Sequence, residues 1–365
     1  MADFNRDVYC VLGLPFDAIN MADAVSRIRS SAAERKSCVA ATPNVNFLAM
    51  SLSDSGFRDA VIRCDLSLMD GMPLVWIARL LRVPIRERVS GSNLFEKLRQ
   101  TLGNPLSVFF FGGPAGVAEA ACHRLRAEAS GLTCAGFLTP GYVSIEEMSN
   151  CEMISKINAS KADFLIVSLG ARKGLAWIER NRRQLDVPVI SHLGAVVNFV
   201  AGTVSRAPGW MQRRGIEWLW RIKEEPELWR RYALDAWVLL RLLFTRILPL
   251  AWHLRCNSPR TVELARAGFE TALNPQFYTL HLRGAWHSSN LKPLRAAFFD
   301  AVKVPRDVEL DMAEASYVDT AFIGLVLLLS ASLKQNHKRL HASNVQLGVR
   351  RMFRYCLAEH ILLSK

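Results

Sequence analysis

An α/β architecture, an open parallel sheet with helices on both faces, is what this sequence predicts, and three observations predict it. Short apolar runs (Ser37–Ala41, Leu106–Phe111, Phe164–Leu169, Val187–Ile190) alternate with segments of helical periodicity. Turn-rich clusters close those runs, which is how such folds present side chains at strand ends. Each run is apolar on both alternate sets of positions, as in a strand covered by helices on both faces. Near residue 276 a second, smaller strand-and-helix pattern begins.

Taken in order, Val8 to Leu14 reads as one short strand, followed by an amphipathic helix over Asp17–Ser31. Ser37–Ala41 is a buried strand ending at Thr42, and Asn44–Ser51 has helical spacing. Pro43 biases Thr42 towards an extended backbone, and Gly71 permits a tight turn after Asp70. Three clusters, Ala41–Asn46, Asp65–Pro73 and Arg86–Ser92, thus bring a hydroxyl, a carboxamide, a carboxylate and an arginine towards one cleft. Each taken singly is also an ordinary loop with capping residues, Thr42 and Asn44 included. Met72–Leu81 is apolar at nearly every position, as in a helix packed between layers.

Leu106–Phe111 leads at once into Gly112-Gly113-Pro114-Ala115-Gly116 and a helix over Val117–Glu128. Strand, glycine turn and helix turn backbone N–H groups and a helix dipole towards an anion, although such a turn also serves as a plain corner. It is neither G-x-G-x-x-G nor a phosphate loop with its lysine. Gly141-Tyr142 precedes a helix near Ser144, with Ser144 and Glu147 spaced as a capping box. Phe164–Leu169 ends at Gly170, and Val187–Ile190 leads to Gly194 and an apolar helix to about Ala201. Any ligand belongs at the carboxyl ends of these strands.

The 365 residues (40.9 kDa), half of them apolar, suffice for two domains. A net charge of +13 calls for an anionic partner. Eight scattered cysteines, without Cys-x-x-Cys or a His/Cys ligand spacing, predict buried thiols in a reducing cytosol. The opening Met-Ala-Asp-Phe-Asn-Arg-Asp lacks the pattern of a signal peptide.

Val204–Leu254 differs in character. Six of the nine tryptophans (210, 218, 220, 229, 237, 252) fall there, among Arg206, Arg213, Arg214, Arg221, Arg230 and Arg231. That mixture suits a boundary between water, phosphate headgroups and acyl chains. Ala236–Leu250 is apolar except for Arg241, Thr245 and Arg246, too short and too charged to span a bilayer, and Pro249 should break a helix near its end. The expectation is a helix on the membrane surface; a core helix joining two domains is the alternative. Nothing resembles a nucleic-acid-recognition pattern.

The ordered set Thr42-Pro43-Asn44, Asp70-Gly71, Glu87-Arg88-Val89 with Gly91, Gly112-Gly113, Gly141-Tyr142, Leu169-Gly170 and Arg206-Ala207-Pro208 through Glu217-Trp218 carries a resemblance. Over about residues 8–232 the chain resembles the WecG/TagA/CpsF family of bacterial glycosyltransferases, which add an N-acetylmannosamine-type sugar to a polyprenyl-diphosphate-linked sugar. The resemblance implies a Rossmann-like core over 1–203, a basic and aromatic membrane appendage over 204–254, a UDP-sugar donor and a polyprenyl-diphosphate-linked acceptor. It implies inverting transfer with Asp70 as base, Thr42 and Asn44 lining the sugar and acceptor pocket, and Arg88 on a phosphate. Gly112, Gly113, Tyr142, Gly170, Lys173 and Gly194 are the nucleotide-sugar positions, and Arg206, Arg214, Arg221 and Arg231 the candidates for lipid diphosphate and membrane. Asp65 also fits the family pattern, but a structural capping role suits it better. No Asp-x-Asp motif is present, so metal-independent transfer without a cofactor is expected. The family also implies a peripheral place on the cytoplasmic face of the bacterial inner membrane and a monomer–trimer equilibrium.

One departure stands out. Where the family has a Pro-Lys-Gln-Glu run, this chain reads Arg172-Lys173-Gly174-Leu175, so two polar side chains expected at the nucleotide are missing. A non-catalytic nucleotide- or lipid-binding sensor is therefore the competing expectation.

After a linker over 255–275, residues 276–365 resemble a STAS domain, the small α/β fold of anti-sigma-factor antagonists: strand Phe277–Arg283, helix Leu291–Val302, strand Asp307–Asp311, an apolar helix opened by Tyr317–Gly324, then a last strand and helix towards Leu363. Such domains commonly carry Asp-Ser-Ser-Gly, whose first serine can be phosphorylated. Here the match is Asp319-Thr320-Ala321-Phe322, which makes Thr320 a candidate regulatory residue or a simple cap, in a module that docks a protein partner.

Overall fold

The computed structural model describes residues 3–101 and 103–362, without the side chain of Arg213; Leu363 lies outside the described residues. In chain order the strands are Val8–Val11 (β1), Leu14–Asp17 (β2), Cys38–Ala41 (β3), Leu66–Ser67 (β4), Leu106–Gly112 (β5) and Leu132–Leu138 (β6). Phe164–Ser168 (β7), Val189–His192 (β8), Gly268–Leu273 (β9), Phe277–Trp286 (β10), Asp307–Val318 (β11) and Leu340–Ser343 (β12) follow. Contacts group the chain into two units that differ from the contiguous segments drawn from composition. Residues 19–75 and 86–235 form one; residues up to 18, 76–85 and those from 236 onward form the other.

In the first of these, six parallel strands lie in the order β4-β3-β8-β7-β5-β6. Strand alternation divides β5 between two layers. Val108 and Phe110 join Ile28, Leu94, Phe95 and Ala121 in a buried core formed with helices Met21–Ala33, Gly91–Gln100 and Val117–Ala127. On the other face Phe111 stacks on Trp177 of helix Ala171–Asn181, with ring centroids 4.2 Å apart. Asp65 is bound into the structure but not as the cap expected: it accepts from Val39 N of β3 and from Arg182 Nη2, each at 2.9 Å.

Five helices of this unit begin with a side-chain cap: Asn20, Asn44, Asp54, Ser90 and Asn150 accept from the backbone N–H three residues on. Helices Val117–Ala127 and Ala171–Asn181 begin instead at Gly116 and Gly170, with no side-chain cap. They follow β5 and β7, which are direct neighbours with Gly112 opposite Ser168. Gly112 has φ +94°, and a Cβ there would lie 2.8 Å from the Ser168 carbonyl oxygen, so only glycine fits that approach.

The cysteine expectation is corrected at three places. Cys122 and Cys134 form a disulfide linking helix Val117–Ala127 to β6, and Cys151 and Cys256 are exposed. A cysteine midway along the helix and another in the strand that follows it come within bonding range, which spacing alone did not reveal. Cys10, Cys38, Cys64 and Cys356 are buried as expected.

In the second unit, Val8–Leu14 is a hairpin rather than one strand: Leu12 and Gly13 both have positive φ, the two-residue turn that suits strand twist. The helix that follows in sequence, in the first unit, starts at Met21, after its Asn20 cap, not at Asp17. Arg6 and Asp17 form a buried two-pronged ion pair at 2.9 and 2.6 Å. A Cβ on Gly324 would lie 3.0–3.2 Å from backbone atoms of Val8, Tyr9 and Cys10, so that glycine lets β1 press against helix Thr320–Gln335.

The sheet of this unit runs β12-β11-β10-β9, parallel except for β9. The stretch expected as a linker holds helix Thr261–Ala265 and β9, because the outer edge of β10 offers hydrogen bonds that Phe269 to Leu273 complete. β10 and β11 extend to Trp286 and Val318, past the ends expected for them. Pro249 does not end the helical run. A π-turn over Leu243–Ile247 resets it, and Pro249 falls in the first turn of Leu248–Cys256, where its missing N–H costs nothing. Among the described residues no helix is long and apolar enough to cross a membrane.

Candidate active site

The three clusters do come together. The Asp70 amide donates to the Pro43 carbonyl at 3.0 Å, and the Val89 amide to the Met69 carbonyl at 2.9 Å. A Cβ built on Gly91 would lie 3.3 Å from Thr42 Oγ1. Thr42 is buried at the end of β3, and Asn44 spends its Oδ1 on the Phe47 amide, 3.1 Å away, as the helix cap.

Asp70 lies at the centre. Burial pushes its carboxyl up to about 6, opposed by the positive charge of Arg88, reinforced by the negative charge of Glu217, and opposed again by the Gly71 N–H and Arg221. Arg88 Nη1 in turn holds Glu217 Oε2 at 2.9 Å, and Arg221 pairs with Glu225 at 3.0 Å. Arg206 Nη2 reaches the start of the neighbouring helix, donating to Asn93 Oδ1 and, at 3.4 Å, to Ser92 Oγ, while its Nε is buried without a partner.

The other arginines have different company: Arg214 lies over the Trp210 ring and Arg231 over the Tyr232 ring. Of the nucleotide-sugar candidates, Gly112 ends β5 and Gly113 follows it, Gly170 follows β7 and Gly194 follows β8, all at carboxyl ends of adjacent strands. Tyr142 is fully exposed, and Lys173 Nζ is taken by the Val143 carbonyl. In the second unit Asp319, not Thr320, caps its helix, accepting from Phe322 N and Ser288 N at 2.8 Å each. Thr320 itself is only 5% exposed, so its hydroxyl is not presented to solvent.

The roles of two residues escaped the sequence reading. Glu217 entered only as one end of the motif set, without a role, and its spatial approach to Arg88 is what gives it one. His192 fills the space left at Gly174: its Nε2 lies 2.6 Å from the Leu169 carbonyl oxygen, which can only accept, so Nε2 carries the proton. Burial lowers the proton affinity of its ring, which keeps it neutral. Ser168 Oγ, at the end of β7, is buried with no partner. Among the described residues no three His, Cys, Asp or Glu side chains are grouped to hold a metal. Positive charge near Asp70 comes from Arg88 and Arg221.

A carboxylate of raised proton affinity among guanidinium groups, at the carboxyl edge of an open parallel sheet, defines an α/β group-transfer enzyme. The chain belongs to the WecG/TagA/CpsF family of glycosyl transferases, whose profile matches residues 9–251, and is a glycosyltransferase. Residues 269–363 match the Mlab-type STAS domain. Similar curated proteins carry the name N-acetylglucosaminyldiphosphoundecaprenol N-acetyl-beta-D-mannosaminyltransferase. The one from Bacillus spizizenii W23 is 29% identical over 194 residues, covering 53% of this chain and 73% of the relative. The Bacillus subtilis 168 protein is 23% identical over 220 residues (60% and 84%), and that of Staphylococcus aureus NCTC 8325 is 24% identical over 214 residues (58% and 82%).

Proposed function

We infer that this glycosyltransferase moves a sugar of the N-acetylmannosamine type, or a related hexose, from a UDP-sugar to a polyprenyl-diphosphate-linked sugar, with inversion, in bacterial cell-surface polysaccharide synthesis. The observation that carries this is Asp70, a carboxyl poised at about 6 beside Arg88. At pH 7 it is largely ionised, yet it is a stronger base than an ordinary aspartate. In this reading Asp70 takes the acceptor hydroxyl proton as that oxygen attacks the anomeric carbon, and UDP departs from the opposite face. Thr42 and the amide nitrogen of Asn44 orient the sugars. Arg88 and Arg221 offset the charge that grows on phosphate.

The uncapped helix starts after Gly112-Gly113 and Gly170, on neighbouring strands, support a diphosphate there, with Gly194 beside them. The names of the relatives support the lipid-linked acceptor. A peripheral position on the membrane is supported by Trp237, Leu240, Phe244, Leu248 and Trp252. All five are exposed along residues 237–256, a helical stretch that carries Arg241, Arg246 and Arg255 and no acid. Arg206, Arg214, Arg221 and Arg231 are the cations this reading assigns to lipid diphosphate and headgroups, and the STAS-like residues to a protein partner.

The replacement of two polar side chains by Gly174 and a buried Leu175 favours a second reading, a nucleotide- or lipid-binding sensor without transfer. One experiment separates the two: UDP release from a panel of UDP-sugars with a short-chain polyprenyl-diphosphate N-acetylglucosamine acceptor, with EDTA present, for the parent protein and Asp70→Asn. Acceptor-dependent release lost in Asp70→Asn supports transfer. Tight UDP binding with no release across the panel would replace it with the sensor.

A further inference from the structure

Glu217 opens helix Glu217–Glu224, within the aromatic and basic stretch, yet its carboxylate ends at Arg88, 129 residues earlier in the chain. The pair is largely sheltered, with the two side chains 11% and 16% exposed. Such a pair is held more firmly than one on the surface, and removing either member strands the other. One turn further along the same helix, Arg221 also acts on Asp70. The charged groups that face Asp70 are thus Arg88 from its own side of the fold and Glu217 and Arg221 from this helix, with the Gly71 N–H completing the set.

Resting on the transfer reading above, we propose that Glu217 is a positioning residue of the transfer site. It grips one edge of the Arg88 guanidinium beside Asp70, leaving the other N–H donors for a diphosphate oxygen. A guanidinium carries five N–H donors in a rigid fork, so one carboxylate oxygen on Nη1 fixes the plane of the whole group without exhausting it. A lysine in its place would have no such second edge. The same carboxylate, set near Asp70, discourages the loss of the Asp70 proton and so strengthens it as a base. The aromatic stretch thereby reaches Asp70 through the Arg88–Glu217 ion pair as well as through Arg221.

The test uses the full chain, with Glu217→Gln, Glu217→Asp and Arg88→Lys in the acceptor-dependent release assay across pH. Glu217→Gln should raise KM for the lipid-linked acceptor about tenfold, the loss of one charge-assisted contact, and should move the acid limb of kcat/KM to lower pH. Glu217→Asp should recover part of both effects. Combined Glu217→Gln and Arg88→Lys should be little worse than either alone. A residue that merely stabilises the fold would lower melting temperature and leave the limb where it is; parental KM and parental limb in Glu217→Gln overturn the proposal. If the parent transfers no sugar, the transfer reading fails, and the carboxyl carbon of Asp70, titrated by NMR against Asp70→Asn, decides this inference separately. A lower midpoint in Glu217→Gln sustains the coupling, and an unchanged midpoint ends it.

Discussion

Gly174 and His192 share one space: a Cβ on Gly174 would stand 2.3 Å from His192 Cδ2. The imidazole cannot retreat, because its Nε2 is tied to the Leu169 carbonyl. Gly174→Ala should therefore destabilise the protein by about 1–3 kcal/mol, the usual cost of overpacking. Adding His192→Ala should recover part of that loss although His192→Ala is itself destabilising. A thermodynamic cycle from urea unfolding of the four proteins checks it, and strict additivity would contradict the shared space.

Asp70 should set the acid limb of the rate. With its carboxyl at about 6, kcat/KM should fall on acidification with a midpoint near that value, and Asp70→Asn should lower kcat by about 10²–10⁴. Initial rates between pH 5 and 8.5 test both.

The same group carries a stability cost. Its proton affinity is higher in the folded chain than the 3.8 of an ordinary aspartate, so folding favours the protonated form. Stability is thus gained as pH falls from about 6 towards 3.8, and the penalty is fully present at higher pH. Asp70→Asn should unfold later than the parent at pH 7.5, by on the order of 1–3 kcal/mol, and the advantage should vanish near pH 4. Thermal melts of both proteins at the two pH values would show it.

Reducing the Cys122–Cys134 bond should lower stability. The bond closes a loop with its ends 12 residues apart, worth about 2–3 kcal/mol in the unfolded chain. Dithiothreitol should lower the melting temperature of the parent and leave a Cys122→Ser, Cys134→Ser protein unaffected. Equal sensitivity of both would place the effect elsewhere.

Thr320→Glu should fail as a mimic of phosphorylation. The side chain is buried where helix Thr320–Gln335 begins, and Asp319 already occupies the cap. A second carboxylate there should destabilise by about 2–4 kcal/mol despite the favourable helix dipole. Melting temperature with and without the change is the measure.

Much of this was legible beforehand because strands buried on both faces announce themselves. Phe164–Leu169 and Leu106–Phe111 needed only their apolar runs, and the loops at Thr42, Asp70 and Arg88 converge because parallel strands all end at one edge. Glu217 stood in the motif set, but its role was not legible: its partner lies 129 residues off in the chain, and a single glutamate carries no periodicity. The β1–β2 hairpin was missed for a different reason. Leu12-Gly13 is a two-residue turn with an apolar member, which hides it inside an apolar run. Cys122 and Cys134 looked like scattered thiols because a helix and a neighbouring strand, not a motif, bring them together.

The hairpin has a consequence for how the protein is made. β1 lies against helix Thr320–Gln335, and the Cys10 thiol reaches the Cys356 carbonyl 346 residues away. β1 and β2 pair with each other, but Cys10 is made 346 residues before the carbonyl it meets. At roughly 5–20 residues per second that interval is on the order of 20–70 s. All of 19–75 and 86–235 is translated in the meantime, so the β1–β2 hairpin and its Arg6–Asp17 pair await helix Thr320–Gln335 while the other unit is made.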